Sequence, residues 1–301
     1  MNLTADSCTA LQSVPPEHEY LENTVSSILR AFELGADTVE IDVHPTAPSD
    51  PDGERLVVFH DWTLDCRTEA RCENGCQCSQ EKTCVTDQQT WSYMKNLDVG
   101  YGYTADGGKT FPFRGKGRGL MPTFIEVVSL LRDQTSKSLL VNVKDPHTRT
   151  QELLLKELGT FDESVRSRVL VEFPPAFRQR FHELGTPEAI WQGSGTRRCL
   201  SKYIVLGWSG YVPEGCRDTR FFIPLHQDLG ILHSWLSGIS VTDLIWGWPD
   251  RFQKRLQGHG SQVGVSEVDS PEDLIWAQQQ GFEFIMTNKI ELIGPIVTKK
   301  P

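Results

Sequence analysis

The chain alternates short apolar runs with amphipathic stretches, and the two kinds repeat with different periods. Val25, Ile28, Leu29 and Phe32 make one stripe within Glu22–Leu34, with Gly35 as the stop, which predicts a helix. Thr38–Val43 then reads as a strand, Asp52-Gly53 as a turn, and Arg55–Phe59 as a second β run ending at His60-Asp61. From Trp62 to about Gly119 the pattern gives way to Gly, Cys and polar residues around one short helix near Thr90–Leu97. A stretch that long without regular periodicity predicts an insertion over one face, in the manner of functional lids.

Beyond Pro122 the alternation is regular. Predicted helices at Phe124–Arg132, Thr150–Leu158, Pro175–Leu184, Pro249–Gln257 and Pro271–Gln280 are interleaved with predicted strands at Leu139–Val143, Arg168–Phe173, Ala189–Gln192, Phe221–Pro224, Gln262–Val265 and Phe284–Thr287. Buried-looking strands followed by helices imply a parallel sheet with helices outside. The series counted from Thr38–Val43 has seven strands. An open doubly wound sheet is the alternative, but no Gly-rich phosphate turn supports it. The pattern therefore predicts an α/β fold, a TIM (β/α)8 barrel whose first strand is missing or atypical, with the insertion over its active-site face. The expected division is an atypical segment at 1–20, the barrel at 21–296 with its insertion at 62–120, and a tail at 297–301.

Composition narrows the function classes. The 301 residues carry a net charge of −10, with 38% hydrophobic and 23% charged residues. A chain so acidic lacks the basic face that a nucleic-acid backbone needs. A phosphate-bearing small molecule stays open, because a bound cation inverts the local sign. No run approaches the roughly 18 apolar residues of a membrane span, and the start MNLTADSCTALQ shows no signal peptide.

Five of the eight cysteines crowd together, at Cys66, Cys72, Cys76, Cys78 and Cys84. The C-x3-C-x-C spacing departs from the C-x2-C pair of structural zinc sites, so a disulfide-bonded loop, with Cys8 as a candidate sixth member, is the better reading. Cys199 and Cys216 are candidates to pair separately. Such usage points to an oxidising compartment, secreted or periplasmic.

Candidate chemistry gathers at strand ends. Along Thr38–Val43, Val39, Ile41 and Val43 face one way and Glu40 and Asp42 the other. If the apolar set packs on helices, both carboxylates point inward and need a cation or a shared proton. Oxygen ligands of this type suit Mg2+ or Ca2+. A half-exposed antiparallel strand with solvated acids fits the pattern equally well. His60, beside Asp61, is a candidate proton donor or acceptor; a turn histidine capped by its neighbour is the commoner meaning of such a pair. Asn142 and Lys144 share a face at the end of Leu139–Val143, an amide oxygen for a metal and an ammonium for a phosphate, although Lys144 alone reads as the start of a surface loop. Trp191, Trp208, Trp246 and Trp248 are candidates for a lipid pocket, with buried packing the commoner role.

In order and spacing, Glu22-Asn23-Thr24, Gly35-Ala36-Asp37, Val39-Glu40-Ile41-Asp42-Val43 and Val57-Val58-Phe59-His60-Asp61 resemble the signature of the glycerophosphodiester phosphodiesterase family. Leu97-Asp98-Val99-Gly100, Met121-Pro122-Thr123 with Glu126, Asn142-Val143-Lys144, Trp246-Gly247-Trp248-Pro249 and Ile285-Met286-Thr287-Asn288 extend the resemblance towards a bacterial branch. It implies a TIM barrel that hydrolyses glycerophosphodiesters to an alcohol and glycerol phosphate, using one divalent cation, Ca2+ or Mg2+, and two acid/base histidines, with a small glycerophosphodiester or lysophospholipid as substrate. By that resemblance Glu40 and Asp42 are metal ligands, His60 the second histidine and Lys144 the phosphate-binding lysine.

Two positions depart from the family. Its opening His-Arg-Gly triplet has no counterpart in Leu11–Tyr20, where His18 lacks the Arg-Gly context, and Asn142 stands where many members have a third carboxylate. A start upstream of Met1 would supply a signal, an apolar strand and that triplet together. The departures leave two alternatives to the hydrolase: a catalytically impaired barrel that binds a phosphodiester or a partner, and a phospholipase resembling sphingomyelinase D.

Overall fold

The computed structural model describes residues 19–79, 82–145, 147–172, 174, 176–188, 194–218, 220–226 and 239–298, except the side chains of 194–198. The chain divides into two units, Met1–Glu33 with Asp37–Leu170 and Pro174–Pro187, and Leu34–Ala36 with Val171–Phe173 and Glu188–Pro301.

In the first unit, α1 (Val25–Glu33) buries Ile28 and Phe32. Thr24 opens it by accepting the Ser27 amide, and Gly35, at φ 104°, takes the left-handed conformation that ends it. Strand β1 (Thr38–Pro45) follows. A turn through Gly53 returns the chain as β2 (Leu56–Val58), antiparallel to β1 with Val43 opposite Val58. The sequence predicts this second β run and leaves it outside the parallel series; its antiparallel pairing puts it at the edge of the sheet. Helix α2 (Phe124–Ser129) begins with a capping box in which Thr123 and Glu126 satisfy each other's amides. It leads to β3 (Ser138–Val143), parallel to β1 with Asp42 opposite Asn142. Helix α3 (Thr148–Leu158) then crosses to β4 (Val169–Val171), giving the sheet order β2-β1-β3-β4. Ile41, Val43, Leu139 and Val169 are fully enclosed, the apolar face that the alternation demands.

The insertion has its own core. Leu64, Ala70, Cys76, Cys84, Met94, Val99, Tyr103 and Phe113 pack with Leu21, Val57 and Phe59 around the one-turn helix Trp91–Met94. Disulfides Cys72–Cys78 and Cys76–Cys84 cross-link it, and Cys66 is disulfide-bonded as well. Cys8 lies outside the described residues, as do His18 and most of the segment 1–20.

In the second unit, β5 (Arg220–Pro224), β6 (Gln262–Ser266) and β7 (Phe284–Ile285) form a parallel sheet. Preceding β5 is α4 (Ser194–Leu206), which the sequence pattern did not predict; the disulfide Cys199–Cys216 ties it to the turn Glu214–Cys216. Helices α5 (Asp250–Gln257), α6 (Pro271–Gln279) and α7 (Ile290–Thr298) complete the unit. Tyr203, Phe221, Phe252 and Val263 form its buried centre, with Trp246 and Trp248 packed against it. Trp208 is 66% exposed, so it joins neither a core nor an enclosed pocket, and Trp191 lies outside the described residues. Among the described residues the seven strands form two sheets, six of them in the predicted parallel series; the strand expected at Ala189–Gln192 lies outside them. No described helix is long and apolar enough to cross a membrane.

Candidate active site

The site lies on one face of the first sheet. Period-two alternation along β1 puts Glu40, Asp42 and His44 together, and the parallel register adds Asn142 from β3. Asp42 is 3% exposed and fully engaged. Its Oδ1 accepts from Lys144 Nζ at 2.8 Å and from Asn142 Nδ2 at 3.0 Å. Its Oδ2 accepts from Asn23 Nδ2 at 2.9 Å, while Asn23 Oδ1 takes the Asp42 amide at 3.1 Å. Asn23 sits at φ 56°, a left-handed conformation that asparagine tolerates, and that kink before α1 turns its side chain onto β1. Burial and then the Asp42 charge raise the Glu40 carboxyl to a pKa of about 8, against the pull of the Lys144 ammonium. Glu40 and Asp42 thus share one face of β1, Asp42 buried and Glu40 partly so. Lys144 turns onto Asp42 instead of beginning a surface loop.

His60 reaches this group by an unexpected route. Because β2 is antiparallel, its last residues run back along β1, and the Phe59 amide donates to the Asp42 carbonyl at 2.9 Å. His60 therefore arrives alongside the carboxylates from a strand running against the parallel series. Its Nδ1 lies 2.6 Å from Asp61 Oδ1, and that bond, ahead of the opposing effect of burial, raises its pKa. Arg67 Nε donates to the other Asp61 oxygen at 2.7 Å, and Arg67 also pairs with Glu22 and the Tyr103 hydroxyl. Glu22, Asn23, Phe59, His60, Arg67 and Tyr103 line a small pocket there.

Three participants escaped the sequence reading. His44 continues the 40, 42 alternation, so the period alone would have found it. It is fully enclosed, its Nε2 lies 3.4 Å from the His60 carbonyl, and burial lowers its pKa to about 4. A neutral ring there donates its Nε2 proton and braces the His60 backbone. Asn23 was visible only as part of a motif. Arg67 lies in the aperiodic insertion, where no pattern marks it.

A family described as glycerophosphoryl diester phosphodiesterase matches residues 16–169, just over half of the chain. A glycerophosphodiester phosphodiesterase of Caldanaerobacter subterraneus subsp. tengcongensis is 38% identical over 123 residues, 41% of this chain and 39% of that protein's length. Among solved structures, the glycerophosphoryl diester phosphodiesterase domain of a Mycobacterium tuberculosis protein superposes with a TM-score of 0.63 at 16% identity, covering 93% of this chain and 95% of that one. An Oleispira antarctica phosphodiesterase in complex with sn-glycerol-3-phosphate superposes with a TM-score of 0.52 at 14% identity, covering 96% and 94%. At such identities the superpositions speak for the fold, which is TIM-barrel-like α/β. With its first half carrying the matched pattern, the chain belongs to the glycerophosphoryl diester phosphodiesterase family.

Proposed function

We propose that this protein is a phosphoric diester hydrolase that cleaves glycerophosphodiesters to an alcohol and glycerol phosphate. The observation that carries the reading is the convergence of Glu40, Asp42, Lys144 and His60 on one sheet face, within the part of the chain that matches the family. The product bound by the Oleispira antarctica relative supports the substrate class.

Glu40 and Asp42 would hold one divalent cation, Ca2+ or Mg2+, whose charge on the phosphoryl oxygens would stabilise the transition state. The donor set suits it: two carboxylates crowded on one face leave Glu40 holding a proton up to a pKa of about 8, a position that a dication can take. Asn142, as a neutral amide, would add an oxygen ligand without charge, so binding would be weaker than at a three-carboxylate site. Lys144, now paired with Asp42, would offer its ammonium to the substrate phosphate. His60, oriented by Asp61, carries the proton to the departing alkoxide or takes it from the attacking water. The disulfides Cys72–Cys78, Cys76–Cys84 and Cys199–Cys216 support work in an oxidising compartment, secreted or periplasmic.

The second reading, a barrel that binds a phosphodiester without turning it over, rests on His44. This histidine adjoins the carboxylates but is enclosed and held neutral, which makes it a poor second acid/base group beside His60. Glycerophosphocholine hydrolysis in Ca2+ or Mg2+, with Glu40→Ala and His60→Ala as controls, separates the two. Turnover lost in both variants supports the hydrolase; a parent protein as inert as they are sinks it.

A further inference from the structure

Two disulfides of the insertion meet sulfur to sulfur. Cys78 Sγ, bonded to Cys72, lies 3.8 Å from Cys76 Sγ and 3.9 Å from Cys84 Sγ, which are bonded to each other. The sulfurs of Cys76, Cys78 and Cys84 thus lie within 4.8 Å of one another, and that of Cys72 is bonded to the second of them. With Zn–S near 2.3 Å, neighbouring sulfurs of a tetrahedral zinc site stand about 3.8 Å apart, the spacing already present between the two pairs.

We propose that in its thiol form this loop is a zinc site, with Cys72, Cys76, Cys78 and Cys84 as its four ligands. The Cα separations within the pairs are 5.6 and 5.9 Å, so turning side chains about Cα–Cβ opens each bonded pair to ligand spacing without moving the backbone. Cys76 and Cys84 are buried and pack with Leu64, Ala70 and Met94, an apolar shell that keeps water from competing for the metal. The C-x3-C-x-C-x5-C spacing hides the site in the sequence, because the short repeat argues against it until the turns at Cys72–Asn74 and Thr86–Gln88 fold the segment onto itself.

The chain is synthesised with its cysteines as thiols, so this state precedes the disulfides. Thiolates held this close repel, and a dication relieves that repulsion. Zinc binding releases four protons, one from each thiol. Conversion to the observed form removes four electrons. Two molecules of an oxidising disulfide accept them with four protons, become four thiols, and leave two protein disulfides and free Zn2+. The same loop carries Arg67, the residue that clasps Asp61, so zinc holds this part of the site together before oxidation.

Cobalt tests it on the full chain. A phosphine with water reduces each disulfide to two thiols and becomes the phosphine oxide; Co2+ is then added without oxygen. Expected are one Co2+ per chain with strong sulfur-to-cobalt charge-transfer absorption, displaced by Zn2+, and no such absorption in the unreduced protein. Cys199→Ser/Cys216→Ser should keep the full signal, whereas Cys76→Ser/Cys84→Ser should lose half of it or more. Cobalt at Glu40 and Asp42 would lack the sulfur band, which keeps this test separate from the hydrolase reading. A reduced parent chain without the band, or a band undiminished in Cys76→Ser/Cys84→Ser, overturns the proposal.

Discussion

Lys144 Nζ stands 2.8 Å from Asp42 Oδ1, with the two side chains only 19% and 4% exposed. Removing one partner of so enclosed a pair leaves an uncompensated charge, at about 3 kcal/mol or more. Lys144→Met is therefore expected to lower the melting temperature in chelator. Saturating Ca2+ should restore most of the loss, because a cation at Asp42 supplies the missing charge. Activity should still fall, on the order of 10²-fold in kcat/KM, since the proposed phosphate contact would lose its ammonium. Thermal scans with and without metal check the first part, and steady-state kinetics the second. Melting that metal does not rescue would mean that Lys144 serves packing alone.

The proposed cation would carry a pH signature through Glu40. Its carboxyl, near 4.5 when unfolded, is raised to about 8 in the fold, so the native state binds a proton that the unfolded state has released. This group's stabilising contribution is present below pH 4.5 and is lost as pH rises towards 8. A divalent cation replaces that proton, so Ca2+ should raise the melting temperature more at pH 8.5 than at pH 5.5. In Glu40→Gln the metal effect should shrink and lose this pH dependence. Equal metal effects at the two pH values in the parent would contradict Glu40 as a ligand.

How much of this was legible in the sequence follows from the range of the forces involved. Alternation is local, so β1 and the shared face of Glu40 and Asp42 could be read directly, and the same rule extends to His44. Strand direction is not local: Arg55–Phe59 announced a strand, but the antiparallel return that carries His60 back to Asp42 depends on the turn and on pairing. Arg67 was invisible because its partners Glu22 and Tyr103 lie 45 and 36 residues away in a segment without periodicity. Helix α4 was hidden because its disulfide and packing hold it more than its stripe does. Helix α7 contains Pro295, which read alone marks a stop.

Asp61 joins His60 to Arg67, one carboxylate oxygen to each. The Asp61 bond is the main cause of the raised His60 pKa, so Asp61→Asn should move to lower pH the limb of the pH–rate profile that His60 would set in its proposed acid/base role. Arg67→Met should leave that limb nearly in place yet lower kcat about tenfold, because Asp61 loses the partner that fixes its angle. Full pH profiles of kcat and kcat/KM read both effects. An unmoved limb in Asp61→Asn would show that another group sets it.

Glu157 tests the fold apart from the chemistry. It lies on α3, 4% exposed, and its Oε1 accepts the Leu56 amide of β2 at 2.8 Å while Oε2 is without a partner. Burial, ahead of the opposing Leu56 bond, raises its pKa from 4.5 to about 7. Between those values the native state holds a proton that the unfolded state lacks, so stability falls as pH rises through the window and levels off above it. The upper bound of the fall is about 3 kcal/mol. Glu157→Gln keeps an acceptor for Leu56 and carries no charge, so it should match the parent near pH 4.5 and exceed it at pH 8. Urea unfolding at several pH values measures the difference directly. Parallel curves for the two proteins would show that water or a shifted side chain already relieves the buried carboxylate.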